Sequence, residues 1–306
     1  TIEKADAGLD PRWFAYLTAA VVALAAFFWR QTKATRPLVS LPLAKARTFW
    51  VAFVAGSITF GSLIGAMFIG QQFTQNVLGY DTLTAAAVVL PAAVCTALFG
   101  QLAGRLITAK GSQFTFMLGL GSVAAAFTVM LVTWVDGAAI GWVLIGYGLV
   151  GTGVGLAATP ASRSLMSSVP PTRGGMGSAF LDLTRDFGGA ILQAIMGGVL
   201  AGAYARQMKA DLSSLSPAQA AQVSSDAAQQ LTGSFEGAAD VAKSYPSAAA
   251  EQIVHAASVA FTDGKTLAIG VALLMTLIGL VLVLVVYPRR DAEEAYYVSV
   301  QSAKPS

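Results

Sequence analysis

Charged residues are scarce in this sequence. Of its 306 residues only 11% are Asp, Glu, Lys or Arg, whereas a soluble globular domain carries about 25%. That deficit excludes nearly every class of soluble protein. The net charge of +3 is small and scattered along the chain, so we expect no surface that binds nucleic acid.

Cysteine and histidine are also nearly absent. Cys95 is the single cysteine and His255 the single histidine, which excludes an intrachain disulfide and the metal motifs built on paired histidines or cysteines. The sequence contains no GxxxxGK[ST] phosphate loop and no nucleophile–base pair. We therefore expect no metal, no bound cofactor and no enzyme activity.

Apolar residues, in contrast, make up 55% of the chain. A bilayer is crossed by about 20 mostly apolar residues in a helix. Seven segments meet this length, and together they predict an all-α polytopic membrane protein. They are 13–29, 48–70, 82–104, 114–135, 138–162, 175–204 and 266–287.

Lysine and arginine mark one set of connections between these spans. They cluster in 30–47, 105–110, 163–173 and 289–290, and they are missing from 71–81. Cytoplasmic loops carry an excess of Lys and Arg, so this set and the C-terminus are predicted to be cytoplasmic. With seven spans, Thr1 would then lie outside.

The spans divide the chain into five predicted parts. Residues 1–47 hold a first membrane helix and a cytoplasmic link, and 48–204 hold five further helices. Residues 205–265 are polar and form an extracellular helical hairpin or loop, 266–290 hold the last membrane helix, and 291–306 form a cytoplasmic tail.

Three charged residues interrupt the sixth apolar segment: Asp182, Arg185 and Asp186. A charge at bilayer depth costs at least ~2.5–3.5 kcal/mol, so these side chains should face protein or a water-filled cavity. Asp182 and Asp186 lie one helical turn apart, and two such carboxylates are hard to ionise together in a low dielectric. One of them is therefore a candidate proton carrier that could exchange its proton for a cation. The alternative is that Arg185 pairs with an aspartate and only braces the helix.

Other candidate residues give weaker signals. Phe68, Gln71 and Gln75 could line an outer substrate cavity, or they could simply end their helix at the interface. Tyr147 could face a substrate or pack on a neighbouring helix. The glycines around Tyr147 fit GxGxxG, but without a strand and a soluble βαβ unit they predict close helix packing instead.

Four motifs in order resemble the major facilitator superfamily, and within it the 14-helix drug:H⁺ antiporter family (EmrB/QacA type). Arg36–Phe49 is similar to that family's cytoplasmic link, and Phe73–Tyr80 to an outer turn. Gly100–Gly111, with Gly104, Arg105 and Lys110, resembles its cytoplasmic loop motif. Residues 169–189 resemble the entry into its thirteenth helix.

This resemblance implies that the seven spans are helices eight to fourteen, of which six form the C-terminal bundle. Since the sequence starts at Thr1 without a methionine, we expect an upstream N-terminal bundle of the same transporter. Arg185 matches an arginine common in the family. Carboxylates at the positions of Asp182 and Asp186 resemble the cation-exporting members.

The predicted function is export of hydrophobic or cationic compounds through a bacterial cell membrane, driven by the proton gradient. Its expected partners are a small-molecule substrate, the lipid bilayer and the upstream bundle. One alternative keeps the fold but exports a lipid, a siderophore or a biosynthetic metabolite. Another is a non-transporting membrane scaffold, against which the costly charged cluster argues.

Overall fold

A computed structural model describes residues 46–169, 174–216 and 223–302, together with positions 18, 19, 21–23, 25, 26, 29, 30 and 33. Residues Thr1–Ala46 form one compact unit and Arg47–Ser306 another. In the first unit the described positions from 18 to 33 are helical and exposed. The predicted span 13–29, the link before residue 46 and Arg173 fall largely or wholly outside the described residues.

From residue 46 onward the described chain is helical. A π-helical turn, Phe73–Val77, extends the first helix. The helices are α1 (Arg47–Gln72), α2 (Thr82–Ala87), α3 (Leu90–Lys110), α4 (Ser112–Thr133), α5 (Ile140–Ser167), α6 (Gly174–Ser213), α7 (Ser225–Gly233), α8 (Phe235–Ala242), α9 (Ser247–Val286) and α10 (Arg290–Ser302).

Six stretches of the described chain are long and apolar enough to span a membrane, which confirms the predicted all-α membrane architecture. They are Arg47–Val77, Thr82–Lys110, Ser112–Thr133, Ile140–Ser167, Gly174–Ser213 and Ser247–Val286.

Successive spans run in opposite directions and give the bundle two ends. The turn around Gly111, the start of α6 and all of α10 lie at one end, which we call the α10 end. The π turn, the turn around Asp136 and helices α7 and α8 lie at the other, the α8 end. The Lys- and Arg-rich connections that the structure describes therefore share an end with the C-terminal helix.

Glycine sets how closely the spans pack. A Cβ at Gly151 would overlap the backbone of Ala92 in α3, and one at Gly153 would overlap the backbone of Gly119 in α4. Small residues let membrane helices approach to backbone contact. The predicted packing role of the α5 glycines is confirmed, and α5 lies between α3 and α4 because of it.

The second predicted span, 82–104, contains a kink. Pro91 lies in the first turn of α3, directly after the turn that ends α2 at Ala87. Proline is favoured in a first helical turn because its missing N–H has no helical partner there. The connecting residues Val88 and Val89 keep a right-handed helical backbone, so Thr82–Lys110 remains one span that is kinked before Pro91.

Residues 205–265 also differ from the predicted hairpin. Helix α6 continues to Ser213, and α9 runs unbroken for 40 residues from Ser247 through Lys265 to Val286. Helix α9 therefore continues through the predicted boundary between the polar segment and the last span at 265/266. Lys265, which was expected at the polar end of that span, is fully buried within the helix.

The predicted tail contains α10, which docks on the bundle through Glu293. This carboxylate is 1% exposed and accepts hydrogen bonds from Ser112 (2.6 Å), Tyr297 (2.9 Å) and Tyr287 (3.2 Å). A buried charge needs such compensation. These bonds fasten α10 to the start of α4 and the end of α9.

Candidate functional site

Helix α6 carries two kinds of exposed surface. Its buried side, which includes Thr184, Gly188 and Leu192, packs on α1. About 100° around the helix from this buried side, an apolar stripe at four-residue spacing is exposed, as expected of a helix that faces lipid. It consists of Leu183, Phe187, Ile191 and Ile195.

A polar stripe lies beside it on α6. Asp182, Asp186 and Gln193 are all exposed, and helical geometry places them on one side of α6, about 100° from Leu183 and Phe187. Asp182 lies about 12 Å and Asp186 about 18 Å along the helix from Gly174. With the start of α6 taken as the membrane boundary, these distances place both carboxylates within a hydrocarbon core of about 30 Å.

The structure pairs one of the two aspartates. Arg185 lies 3.8 Å from Asp182, and its guanidinium stacks over the ring of Phe60 in α1, 5.2 Å from the ring centroid. This ion pair is solvent-exposed, since the side chains of Arg185 and Asp182 are 51% and 70% exposed. Asp186 forms no ion pair or hydrogen bond within the described residues. The cluster therefore contains one compensated and one uncompensated carboxylate.

Helix α1 continues this surface. Phe60, Ile64, Phe68 and Gln71 recur at helical spacing and are at least partly exposed. Contacts join them to α6, because a Cβ at Gly189 would meet Ile64 and one at Gly197 would meet Phe68. We call this continuous surface the α1–α6 face, comprising Phe60, Ile64, Phe68 and Gln71 with Asp182, Asp186 and Gln193.

Two of the predicted cavity residues have different surroundings. Gln75 is exposed on the π turn, beyond the α1–α6 face. Tyr147 is fully buried, packs on Trp134 at 5.8 Å between ring centroids, and donates a hydrogen bond to the carbonyl of Ala66 (3.4 Å). The structure thus places Tyr147 in the protein core, where it connects α5 with α1 and α4, and not at a cavity wall.

The predicted loop motif lies at the α10 end. Gly104, Arg105 and Lys110 are exposed on α3, and the ammonium group of Lys110 lies 4.7 Å from the centroid of the Phe114 ring. Gly111 has φ +88°, a backbone conformation that favours glycine and turns the chain into α4. Arg290 of α10 donates a hydrogen bond to the carbonyl of Ala109 (3.3 Å), so the motif contacts the C-terminal helix.

Lys265 is the charged residue that sequence reasoning missed. It is fully buried in α9, donates to the carbonyl of Trp134 at the end of α4, and lies 4.9 Å from the centroid of the Phe73 ring. Its position directly before an apolar run made it resemble the polar edge of a span. A sequence signal for the burial of Lys265 does exist. Small or apolar residues recur at helical spacing on its side of α9, and they are buried: Ala257, Phe261, Gly264 and Ala268.

Comparison with known sequences gives the family. The profile of the Major Facilitator Superfamily matches residues 6–192. The chain is 30% identical over 185 residues to multidrug resistance protein Stp of Mycobacterium tuberculosis, covering 60% of this chain and 34% of that protein. It is 27% identical over 257 residues to multidrug efflux pump LfrA of Mycolicibacterium smegmatis, covering 84% of this chain and 49% of the pump.

A third relative is quinolone resistance protein NorB of Staphylococcus aureus, 24% identical over 188 residues, with 60% of this chain and 40% of NorB covered. The chain thus spans between a third and a half of the length of these relatives. Its six apolar spans make it a multi-pass membrane protein. With the family profile matching more than half of its residues, the chain belongs to the major facilitator superfamily.

Proposed function

We propose that this chain is the C-terminal half of a proton-coupled exporter of hydrophobic and cationic compounds in a bacterial cell membrane. Two relatives with multidrug resistance or efflux in their names support the activity. The six-span bundle and the partial coverage of the relatives support the assignment to one half of a 14-helix transporter. Export driven by the proton gradient would need no bound cofactor.

The observation that carries this proposal is the uncompensated carboxylate of Asp186. At its depth an ionised carboxylate facing lipid would cost several kcal/mol, roughly 2.5–3.5 on insertion scales. We infer that the α1–α6 face is covered by the upstream N-terminal bundle, with water and substrate between the two halves. Asp186 can then hold either a proton or a cationic substrate.

The Asp182–Arg185 pair gives the two aspartates different roles. Arg185 neutralises Asp182 and is itself held over Phe60, so the pair braces α6 near the α10 end. Asp186 has no such partner within the described chain and lies one turn deeper. Arrival of a cation would favour its ionised form and release a proton, while return of the proton would release the cation.

The test compares Asp186→Asn with Asp182→Asn in the complete transporter. The amide keeps the size of the side chain but removes its charge and its titration. We expect Asp186→Asn to weaken binding of a cationic compound by about 1–3 kcal/mol, or about ten- to a hundredfold, and to reduce substrate-induced proton release. Transport of a neutral compound should fall less, and Asp226→Asn on α7 is the matched control.

The measurements are proton release on substrate addition in detergent and vesicle transport of one cationic and one neutral compound. If both aspartate variants release protons normally and transport the two compounds equally well, the cluster only braces the helix and the coupling proposal is wrong.

The orientation is part of the proposal. Lys and Arg are concentrated at the α10 end, in Arg105, Lys110, Arg163, Arg289 and Arg290. The positive-inside rule places that end, and therefore the C-terminus, in the cytoplasm. Helices α7 and α8 would then lie outside the cell.

A further inference from the structure

A cavity of about 310 Å³ lies at the α8 end, where it adjoins the α1–α6 face at Phe68. Helices α1, α6 and α9 form its sides, and α8 with the residues before it forms its cover. Pockets for small molecules begin at about this volume. Gly197, which lines the cavity, is eleven residues beyond Asp186, or about 16 Å along α6. The cavity is therefore separate from the charged cluster.

Aromatic rings form much of the wall. Phe68, Tyr204, Phe235 and Phe261 all line the cavity. The rings of Phe235 and Phe261 meet edge to face, with centroids 6.3 Å apart. The hydroxyl of Tyr204 contacts the carbonyl oxygens of Leu231 and Ser234, each at 3.1 Å, so it has its hydrogen-bond partners within the protein. Tyr204 and Phe261 are nearly buried behind the wall, so the partly exposed rings of Phe68 and Phe235 are the ones most available to a ligand.

The charge in the cavity wall is negative. Among the described lining residues Glu236 is the charged one, and it is accompanied by the amides of Gln72 and Asn76. Glu236 lies in the first turn of α8 and is exposed. It forms no ion pair within the described residues, in contrast to Asp240 on the same helix, which pairs with Lys243 at 2.7 Å. Its carboxylate is available to a ligand.

We propose that this cavity is a second binding site, and that its ligand is an organic monocation bearing an aromatic or branched apolar group. Aromatic faces attract cations, and a carboxylate at the rim adds direct charge attraction. Only the role of this site in the transport cycle rests on the proposed export function; the site lies at the end of the bundle opposite α10. Binding itself can be measured without transport.

The experiment titrates the 306-residue chain in phosphatidylcholine nanodiscs with two ligands of the same shape. These are (3-hydroxyphenyl)trimethylammonium and its uncharged isostere 3-tert-butylphenol, with heats from empty nanodiscs subtracted. We expect the cation to bind at least tenfold more tightly than the isostere. Glu236→Gln should weaken cation binding about five- to tenfold and leave the isostere unchanged.

The matched control is Asp240→Asn, which removes a carboxylate from α8 that does not line the cavity, and it should bind the cation normally. Phe68→Leu keeps an apolar side chain but loses the ring, so cation binding should fall about fivefold. Ala201→Phe fills the cavity from an exposed position on α6 and should abolish binding of both ligands.

Equal affinity for the two ligands would show an apolar cavity suited to a lipid chain, and the proposal would be wrong. The same conclusion follows if Glu236→Gln binds the cation like the unaltered chain. Asp186→Asn separates this site from the transport proposal, because it should retain binding here. Loss of binding in Asp186→Asn together with normal binding in Glu236→Gln would place the cation on the α1–α6 face, contradicting the second site but not the export function.

Discussion

The ammonium group of Lys265 donates a hydrogen bond to the backbone carbonyl of Trp134. Trp134 ends α4, where carbonyl groups lack helical partners and the helix dipole favours a positive charge. The Phe73 ring covers the same ammonium group. A single side chain of α9 thus connects the end of α4 with the π turn that follows α1.

Removing this connection should destabilise the bundle. We expect Lys265→Ala to lower stability by about 2–4 kcal/mol, because it leaves a buried carbonyl without its donor and opens a cavity. Lys265→Met keeps most of the volume and should cost about half as much. Thermal unfolding in detergent measures both. Lys243→Ala, on the exposed surface of α8, is the control and should change little; an equally small effect of Lys265→Ala would contradict this role.

Close packing of α1 on α6 predicts a contrast between two glycines. A Cβ at Gly188 would overlap the backbone of Ser57, whereas none of the surrounding atoms comes within 4 Å of a Cβ at Gly198. Gly188→Ala should force the helices apart and cost about 1–3 kcal/mol. Gly198→Ala should be neutral or stabilise by up to about 1 kcal/mol, since alanine favours a helix. The measurement is the thermal unfolding midpoint of each variant in the same detergent. Similar midpoints for the two variants would argue against backbone contact between α1 and α6 at Gly188.

Docking of α10 depends on Glu293. We expect Glu293→Ala to leave three hydroxyl groups without their shared acceptor and to release α10, at a cost of about 2–3 kcal/mol. Trypsin should then cleave after Arg289 and Arg290 at least tenfold faster. Glu294→Ala is the matched control, because the neighbouring Glu294 is exposed and pairs with Arg290 at 3.1 Å. Comparable cleavage of both variants would show that Glu293 does not hold the helix.

The same contact predicts a dependence on pH. Burial raises the pKa of Tyr297, so its hydroxyl stays protonated in the docked helix while an undocked tyrosine ionises near its ordinary pKa of about 10. Because the folded pKa is the higher one, this stabilisation is complete below about pH 10 and is lost above it. Hydrogen exchange of α10 between pH 8 and 11, corrected for intrinsic rates, should show protection falling only above pH 10. Tyr297→Phe should reduce this step, and the part that remains is expected from Tyr296 of the same helix, because burial raises its pKa as well.

The proposed orientation can be tested with single cysteines. In a Cys95→Ala background, which removes the one thiol of these 306 residues, we expect Asp240→Cys to react with an impermeant maleimide on intact cells. Glu294→Cys should react only after the cells are permeabilised. The reverse pattern would place α7 and α8 in the cytoplasm and overturn the orientation.

Much of this architecture could be predicted from the sequence, because a membrane helix has a one-dimensional signature in its length and its lack of charge. The same signature failed at Lys265, since a charge beside an apolar run is read as the end of a span unless its burial is known.

The candidate site was predicted only in part. The spacing of Asp182, Arg185 and Asp186 correctly indicated that an ion pair could form within one helix turn. Which aspartate is paired depends on Phe60, which holds Arg185 from another helix and is distant in sequence. For the same reason Tyr147 could not be placed, since its partners Trp134 and Ala66 come from two other helices.

The π turn at Phe73–Val77 determines the rotation of the side chains that follow α1 at the α8 end of the bundle. The amide of Leu78 bonds to the carbonyl of Phe73, five residues back, so this turn holds one residue more than an α-helical turn. Asn76 borders both the aromatic cavity and a second one of about 500 Å³ that includes His255. Deleting one residue here would restore the α-helical phase and rotate the side chains between the deletion and the turn at Gly79 by about 100°. A deletion in this turn would therefore act on the protein as a local rotation, which moves Asn76 away from its position between the two cavities.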